Sequence, residues 1–576
     1  MRRGVGAVAL LLLAGCGLPL SQGVQEPGPV PAEQRQDGGD IQVLPPGPRD
    51  DASADDIVRE FFGAQSDPSN HHASAREFLA PELRARWQDT GPVSVVGSGL
   101  RVESADPAAD TFRVTGDVVG GIGADGSYSA ARGRVDELVR VRKGARGRWV
   151  ITSVPDGLLL SAADRDRSFR PRNVFFLAPR VSTSAPPHLV PDQVFLPLSA
   201  DSAEALVRRL VAGPSRLLGD SVRTAVPQGT SVRSVITDPS GLVTVDLSGE
   251  VGRATAQQQQ ELSAQLVWTL RGNPDGFSQL RLRADGRDVK IDRGGTRTAL
   301  QERTDWASYD PDGLPPEPPL YYVGGGRLRV LDASGKSSVA ASGSQRVDEG
   351  AASPRGGALA LVAHLRTGDE LRTGAATGPF VVRARGRALS SPTWGSGERG
   401  VFYLDAGRVR LVSSAGGTVA VPVDGIAGFG SLQAVRVSRD GVRVAVIAGV
   451  GAHRRLLVGR LVGRGGSLRM LGFRDVASGV TDVHALSWDS GTSLVVLGRL
   501  SGVTAPVRVL VDGSTVALVN KLGLELRTPL TLAAAPDEPL LVGAVDGRST
   551  EVLFRDSGRL YVQVEGISGG SPFYPG

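Results

Sequence analysis

Apolar positions fall into four regimes along the chain. A short apolar run at residues 4–14 comes first, and no later stretch approaches the roughly 20 apolar residues that a bilayer-spanning helix needs. Residues 16–50 carry no periodicity; seven prolines lie between 17 and 49 among Gly, Gln and Asp. Such a segment cannot bury a core, and at about 3.1 Å per residue it could extend up to roughly 100 Å as a tether. Residues 51–165 open with helical patterning. Asp55 and Asp56 precede Ile57, Val58, Phe61 and Phe62, and 74–79 and 81–87 continue the helical spacing. Alternating stretches at 112–119, 127–134, 137–142 and 149–154 then predict an antiparallel sheet. Residues 173–300 predict strands at 174–177, 189–191 and 194–196. Asp201 with Glu204 has the form of a capping box, placing Leu206, Val207, Leu210 and Val211 on one helical face before Gly213-Pro214 stops it. A strand at 243–248, a helix at 255–270 burying Leu262, Leu266 and Leu270, and a strand at 280–283 with an Asp285-Gly286 turn complete this unit.

A Pro-rich linker, 301–319, separates it from 320–576, where one short pattern recurs. A strand, a turn and a very apolar strand repeat around Ser353-Pro354, Ser391-Pro392, the Ser438–Gly441 turn, Trp488-Asp489 and Ala535-Pro536. Intervals of about 38 to 50 residues suit a four-stranded blade that buries its faces only against its neighbours. The first blade, with strands at 321–323, 327–331 and 337–341, lacks an innermost strand. The missing Ser-Pro turn reappears as Ser571-Pro572, which predicts that residues 562–573 close the ring as the sixth blade meets the first.

Composition changes this picture little. With 40% hydrophobic and 22% charged residues, the 576-residue chain is a multidomain globular protein, too long for one core. Its 65 basic residues, only four of them Lys, outnumber 60 acidic ones but are scattered, so they define no nucleic-acid surface. Cysteine matters more. Arg2 and Arg3 before the apolar run have the form of a signal peptide, residues 1–15. Leu13-Ala14-Gly15-Cys16 resembles the lipobox of bacterial lipoproteins, which implies cleavage between Gly15 and Cys16 and lipidation of the chain's single cysteine.

Candidate chemistry is sparse. Residues 121–126 match G-x-G-x-x-G, but no helix follows to hold a phosphate, so a hairpin turn is expected. Residues 566–570 match G-x-S-x-G, but neither a helix nor a later His follows. His71-His72 has no partner at ligand spacing and reads as a surface pair, and no catalytic, metal or cofactor constellation is evident. Gln257 to Gln260 read as the solvated start of a helix.

The runs FFLAP, LVPDQVFLP, ALVRRLVAGPS, SGLVTVDLSGE and QLVWTL resemble a GerMN domain in the form found in the actinobacterial LpqB lipoprotein family, and the order of units resembles that family over nearly the whole chain. The expected fold is two N-terminal α+β domains, a cystatin-like or nuclear-transport-factor-like roll and then GerMN, followed by an all-β six-bladed propeller. The resemblance implies a non-enzymatic lipoprotein anchored on the extracytoplasmic face of the cell membrane. It also implies a partner, the extracytoplasmic domain of the sensor histidine kinase MtrB of the MtrAB two-component system, in envelope and division control. The alternative is a cell-wall glycan or small-ligand binder that uses the propeller cavity.

Overall fold

The computed structural model describes residues 46–576 except 98, 107–109, 145–146, 182–186, 333–334, 341–345, 397–398, 415, 521–522, 525–526 and 546–550. In the first unit the helix Ala54–Ala64 starts on Ser53, whose Oγ accepts from Asp56 N, and buries Ile57, Val58, Phe61 and Phe62 as its pattern predicts. These residues pack on a six-stranded sheet ordered Trp149–Ser153, Tyr128–Lys143, Thr111–Ile122, Val93–Val96 and Leu158–Ser161, with Arg101–Asp106 alongside Thr111–Ile122. Two features escape the sequence pattern. The stretches at 127–134 and 137–142 are one 16-residue strand, and Val93–Val96 pairs in parallel with Leu158–Ser161. The strand ends flanking the long strand's hairpin stay in the first unit's core through Ile122 and Tyr128, where Phe195 of the second unit joins them.

The second unit begins with the hairpin Phe169–Leu177/Leu189–Pro197. The helix Ala256–Leu270 packs on it with its last ten residues all buried, not only Leu262, Leu266 and Leu270. Two buried polar groups on that helix are matched, though the Ser263 hydroxyl is not: Thr269 Oγ1 accepts from Phe175 N (3.1 Å), while Gln265 donates to Phe175 O (2.8 Å) and accepts from Ala225 N (2.7 Å). The expected capping box is displaced by one residue. Ser202 caps the helix Ala203–Val211, and Asp201 instead binds Arg172. The sheet runs Arg287–Asp288, Gln279–Ala284, Leu242–Leu247 and Val232–Thr237. The first half of the expected linker belongs to the second unit. Leu300–Glu302 pairs with Gln279–Ala284, and Trp306 and Tyr309 enter the same core, where the Trp306 carbonyl accepts from Trp268 Nε1 (3.0 Å).

The described residues of 320–576 form six four-stranded antiparallel sheets. The innermost strands are Glu349–Ala352, Leu389–Trp394, Leu432–Val437, Val480–Ser490, Thr528–Ala533 and Gly570–Phe573; each touches the next and the last touches the first, so the sheets close a ring. Closure is made by the chain end. Gly570–Phe573 pairs with Leu320–Gly324 (Tyr321 opposite Phe573), whereas Tyr561–Gln563 is the outer strand of the sixth sheet, so only the end of residues 562–573 closes the ring. The recurring turns prove to be two different features. Those at Ser353, Ser438 and Ala535 follow innermost strands, but Ser391-Pro392 and Ser571-Pro572 lie within them, with Ser391 (φ 56°) and Ser571 (φ 47°) in the left-handed region.

Candidate functional site

Cys16 and Gly15 lie outside the described residues. The Gly-rich match at 121–126 is the hairpin between Thr111–Ile122 and Tyr128–Lys143, and it docks: Asp125 Oδ2 accepts from Arg216 N (3.0 Å), Asp125 O from Arg209 Nε (2.7 Å) and Gly126 O from Phe195 N (2.8 Å). No phosphate-binding helix follows it. The match at 566–570 runs into the closing strand. His71 is exposed, but His72 is buried, not at the surface; its Nδ1 has no hydrogen-bond partner, and burial lowers its pKa. Among the described residues no group of His, Cys, Asp or Glu could hold a metal ion, and no helix is long and apolar enough to cross a membrane.

The structure instead concentrates its buried charge at two places that spacing along the chain does not reveal. One is the seam between units, where the Ser438–Gly441 turn meets the second unit. Arg443 Nη1 donates to Asp440 Oδ2 (2.8 Å) and Nη2 to Pro191 O; His188 Nε2 donates to Asp440 O (2.8 Å). Beside them Asp192 accepts from Ser215 N and Oγ (both 2.7 Å), and burial pushes its carboxyl up. A second contact joins all three units: Arg165 lies over the Tyr128 and Phe195 rings (5.3 and 5.7 Å) and donates to Ser514 O (3.0 Å) while Ala130 N donates to Asp512 O (3.2 Å). The Arg443–Asp440 ion pair lies within the ring, and what crosses the seam are hydrogen bonds from charged or polar side chains to backbone oxygens, Arg443 to Pro191 O, His188 to Asp440 O and Arg165 to Ser514 O; leaving one of these buried groups without its partner costs about 1–3 kcal/mol.

The other place is the ring's central channel, a cavity of about 310 Å³ lined by residues of all six innermost strands. One end is shut. Arg439, on the turn of the fourth sheet, reaches across to the first and sixth: its Nε donates to Pro575 O (3.1 Å) and its Nη2 to Ala534 O (3.2 Å). Asp312 approaches the same guanidinium at 3.9 Å. Burial raises the Asp312 carboxyl to about 7 although Arg439 pulls it down. Deeper along the wall, Ser391 holds two charged side chains. Its amide donates to Glu349 Oε2 (2.7 Å), and its hydroxyl accepts from Arg436 Nη1 (2.5 Å). Burial lowers the Arg436 pKa, Glu349 opposing; yet the side chain remains partly open to the lumen.

Three family models match in succession: Lipoprotein LpqB, N-terminal domain, over residues 47–166; Sporulation and spore germination over 173–290; and Lipoprotein LpqB beta-propeller domain over 326–575. Lipoprotein LpqB of Thermobifida fusca is 28% identical over 99% of this chain and 98% of its own, and that of Streptomyces coelicolor 29% over 99% and 97%. Among solved structures, TolB from Acinetobacter baumannii aligns with a TM-score of 0.35 at 16% identity, over 46% of this chain and 68% of that one. With both LpqB domains flanking the spore-germination type in that order, and with relatives matching end to end, the chain belongs to the actinobacterial LpqB lipoprotein family.

Proposed function

We propose that the protein is an interaction lipoprotein, cleaved after Gly15, anchored through lipid on Cys16 and facing the extracytoplasmic side, whose two N-terminal α+β domains engage the extracytoplasmic domain of a sensor histidine kinase and modulate its signalling. Two or more acyl chains, at about 0.8 kcal/mol per buried CH₂, hold such an anchor stably. The fold reading goes with it: the six sheets are six propeller blades, and the first unit is a cystatin-like or nuclear-transport-factor-like roll. The kinase is the partner the family resemblance implies. The observation that carries the reading is the seam, because a junction of buried arginines on backbone acceptors across the units holds both α+β domains against the ring as one surface, suited to recognition. Each domain exposes a large aliphatic side chain, Leu138 at 49% and Ile236 at 62%; Val450, at 70%, is the counterpart on the ring.

The test titrates the soluble mature chain with the kinase's extracytoplasmic domain. Leu138→Glu and Ile236→Glu are expected to weaken binding at least tenfold and Val450→Glu to leave it unchanged. Loss with Val450→Glu alone would move the contact to the ring. The second reading, a ligand in the ring's cavity, is favoured by the closed-ended channel.

A further inference from the structure

The channel carries two charges that form no ion pair with described residues. Among the described residues, neither Arg436 nor Glu349 is within salt-bridge distance of an opposite charge, whereas Arg439 at the closed end faces Asp312 and Arg443 at the seam pairs with Asp440. Arg436 spends one nitrogen on Ser391 Oγ and Val435 O (2.9 Å), and Glu349 one oxygen on Ser391 N. The rest of each group is left to the lumen. Their holder is strained: Ser391 is a non-glycine residue at positive φ in mid-strand, and Asp482 (φ 51°) and Ser571 repeat this on two other innermost strands. Residues held in sparsely populated backbone regions persist where surrounding structure over-determines them, and they cluster at ligand sites. Here the surroundings do so: Ser391 Oγ also accepts from Val435 N (2.9 Å), and Ser571 N donates to Thr531 Oγ1 (3.2 Å).

We infer that the channel binds a small zwitterion, an amino acid or short peptide whose carboxylate meets the Arg436 guanidinium and whose ammonium meets Glu349. A cavity of about 310 Å³ sits at the lower limit of ordinary small-ligand sites, roughly 300–1,000 Å³, and admits a di- or tripeptide but not a folded chain. The bar made by Arg439, Pro575 and Ala534 makes it a blind well, entered from the mouth where Gln433, His484 and Leu530 stand. A partly desolvated guanidinium gains more from a carboxylate than a fully exposed one, because the same charge interacts more strongly at lower dielectric. Trp488 lines the cavity, with its Nε1 donating to Arg436 O (3.2 Å), so occupancy should alter its emission.

This inference rests on the cavity-ligand reading and not on the kinase contact. The experiment titrates the soluble mature chain with trialanine, N-acetyl-trialanine, trialanine amide and N-acetylglucosamine, following tryptophan fluorescence and calorimetry. Trialanine is expected to bind saturably, and each blocked form to bind at least tenfold more weakly. Arg436→Gln should abolish the difference between acid and amide, and Glu349→Gln that between free and acetylated amine. If either variant fails to fold, the wild-type ranking of the three peptides still decides. Equal binding of all three, or binding of N-acetylglucosamine alone, overturns the zwitterion and leaves a cavity ligand; binding of none overturns both.

Discussion

Deleting residues 570–576 removes the strand that closes the ring, and its cost can be built from the interactions that strand makes. Tyr574 is 7% exposed, and its hydroxyl donates to Pro539 O (3.0 Å); truncating such an aromatic costs about 3–5 kcal/mol. Phe573 stacks on Tyr321 with ring centroids 5.3 Å apart, adding about 0.5–1.5 kcal/mol beyond its burial. The tail also supplies the Pro575 carbonyl to the buried Arg439 and the Gly576 amide to Ala352 O (2.9 Å). Leaving that guanidinium short of an acceptor costs about 1–3 kcal/mol more. Conservatively the loss is about 5 kcal/mol, and about 2–4 °C per kcal/mol in a domain of this size gives a fall of roughly 10–20 °C. Calorimetry would read this in the ring's transition, and light scattering would read association through the bared edge of Leu320–Gly324. A truncated chain that melts within about 2 °C of the intact one and stays monomeric refutes closure by the C-terminus as a source of stability.

Two further outcomes follow from single groups. The Asp312 carboxyl, raised by burial to about 7, binds its proton in the folded state at pH values where the unfolded chain has lost it, so stability falls as pH rises from about 4 to about 7. Asp192 and Asp512 are raised by burial as well, so Asp312→Asn is expected to reduce the drop in melting temperature between pH 5 and pH 8, not to remove it; an unchanged drop means the carboxylate stays ionised in the fold. Cys16→Ala should move the protein from the membrane to the soluble fraction and remove the lipid mass found on the wild type, whereas unchanged fractionation with no lipid on the wild type would show that Cys16 is no anchor.

What the sequence makes legible is whatever repeats locally. The helix Ala54–Ala64 and the helix Ala256–Leu270 follow from spacing and caps, and the ring's repeat follows from apolar strands after short turns. The errors have one physical cause, since local pattern does not say what lies across the interface. Asp201 has the right type and spacing to cap a helix, but Arg172, 29 residues earlier, takes it and Ser202 caps instead. Prolines at 311, 315 and 316 have the look of a linker, yet Trp306 and Tyr309 just before them complete the second domain's core. Ser353-Pro354 and Ser391-Pro392 look alike in sequence, and only strand pairing shows that one ends an innermost strand while the other bends one.

The channel and the seam are out of reach of local pattern for the same reason, and together they restrict how this architecture can work. Arg439 and Asp440 lie on one turn and Arg443 opens the strand after it, yet Arg439 bars the channel while its neighbours bind the second unit. A ligand pressing on the closed end therefore pushes against the group that Asp312 also faces, and Asp312 lies just beyond Tyr309, the last core side chain of the second unit before the ring. Coupling between distant sites requires an element that both can bias. Among the described residues, the turn at Ser438–Gly441 is where the channel floor, the residues after Tyr309 and the second unit's hairpin share polar partners within a single loop. Any signal passing from the ring's cavity to the α+β surface by this route has to cross that turn, where Arg439 faces the channel and Asp440 and Arg443 hold the second unit.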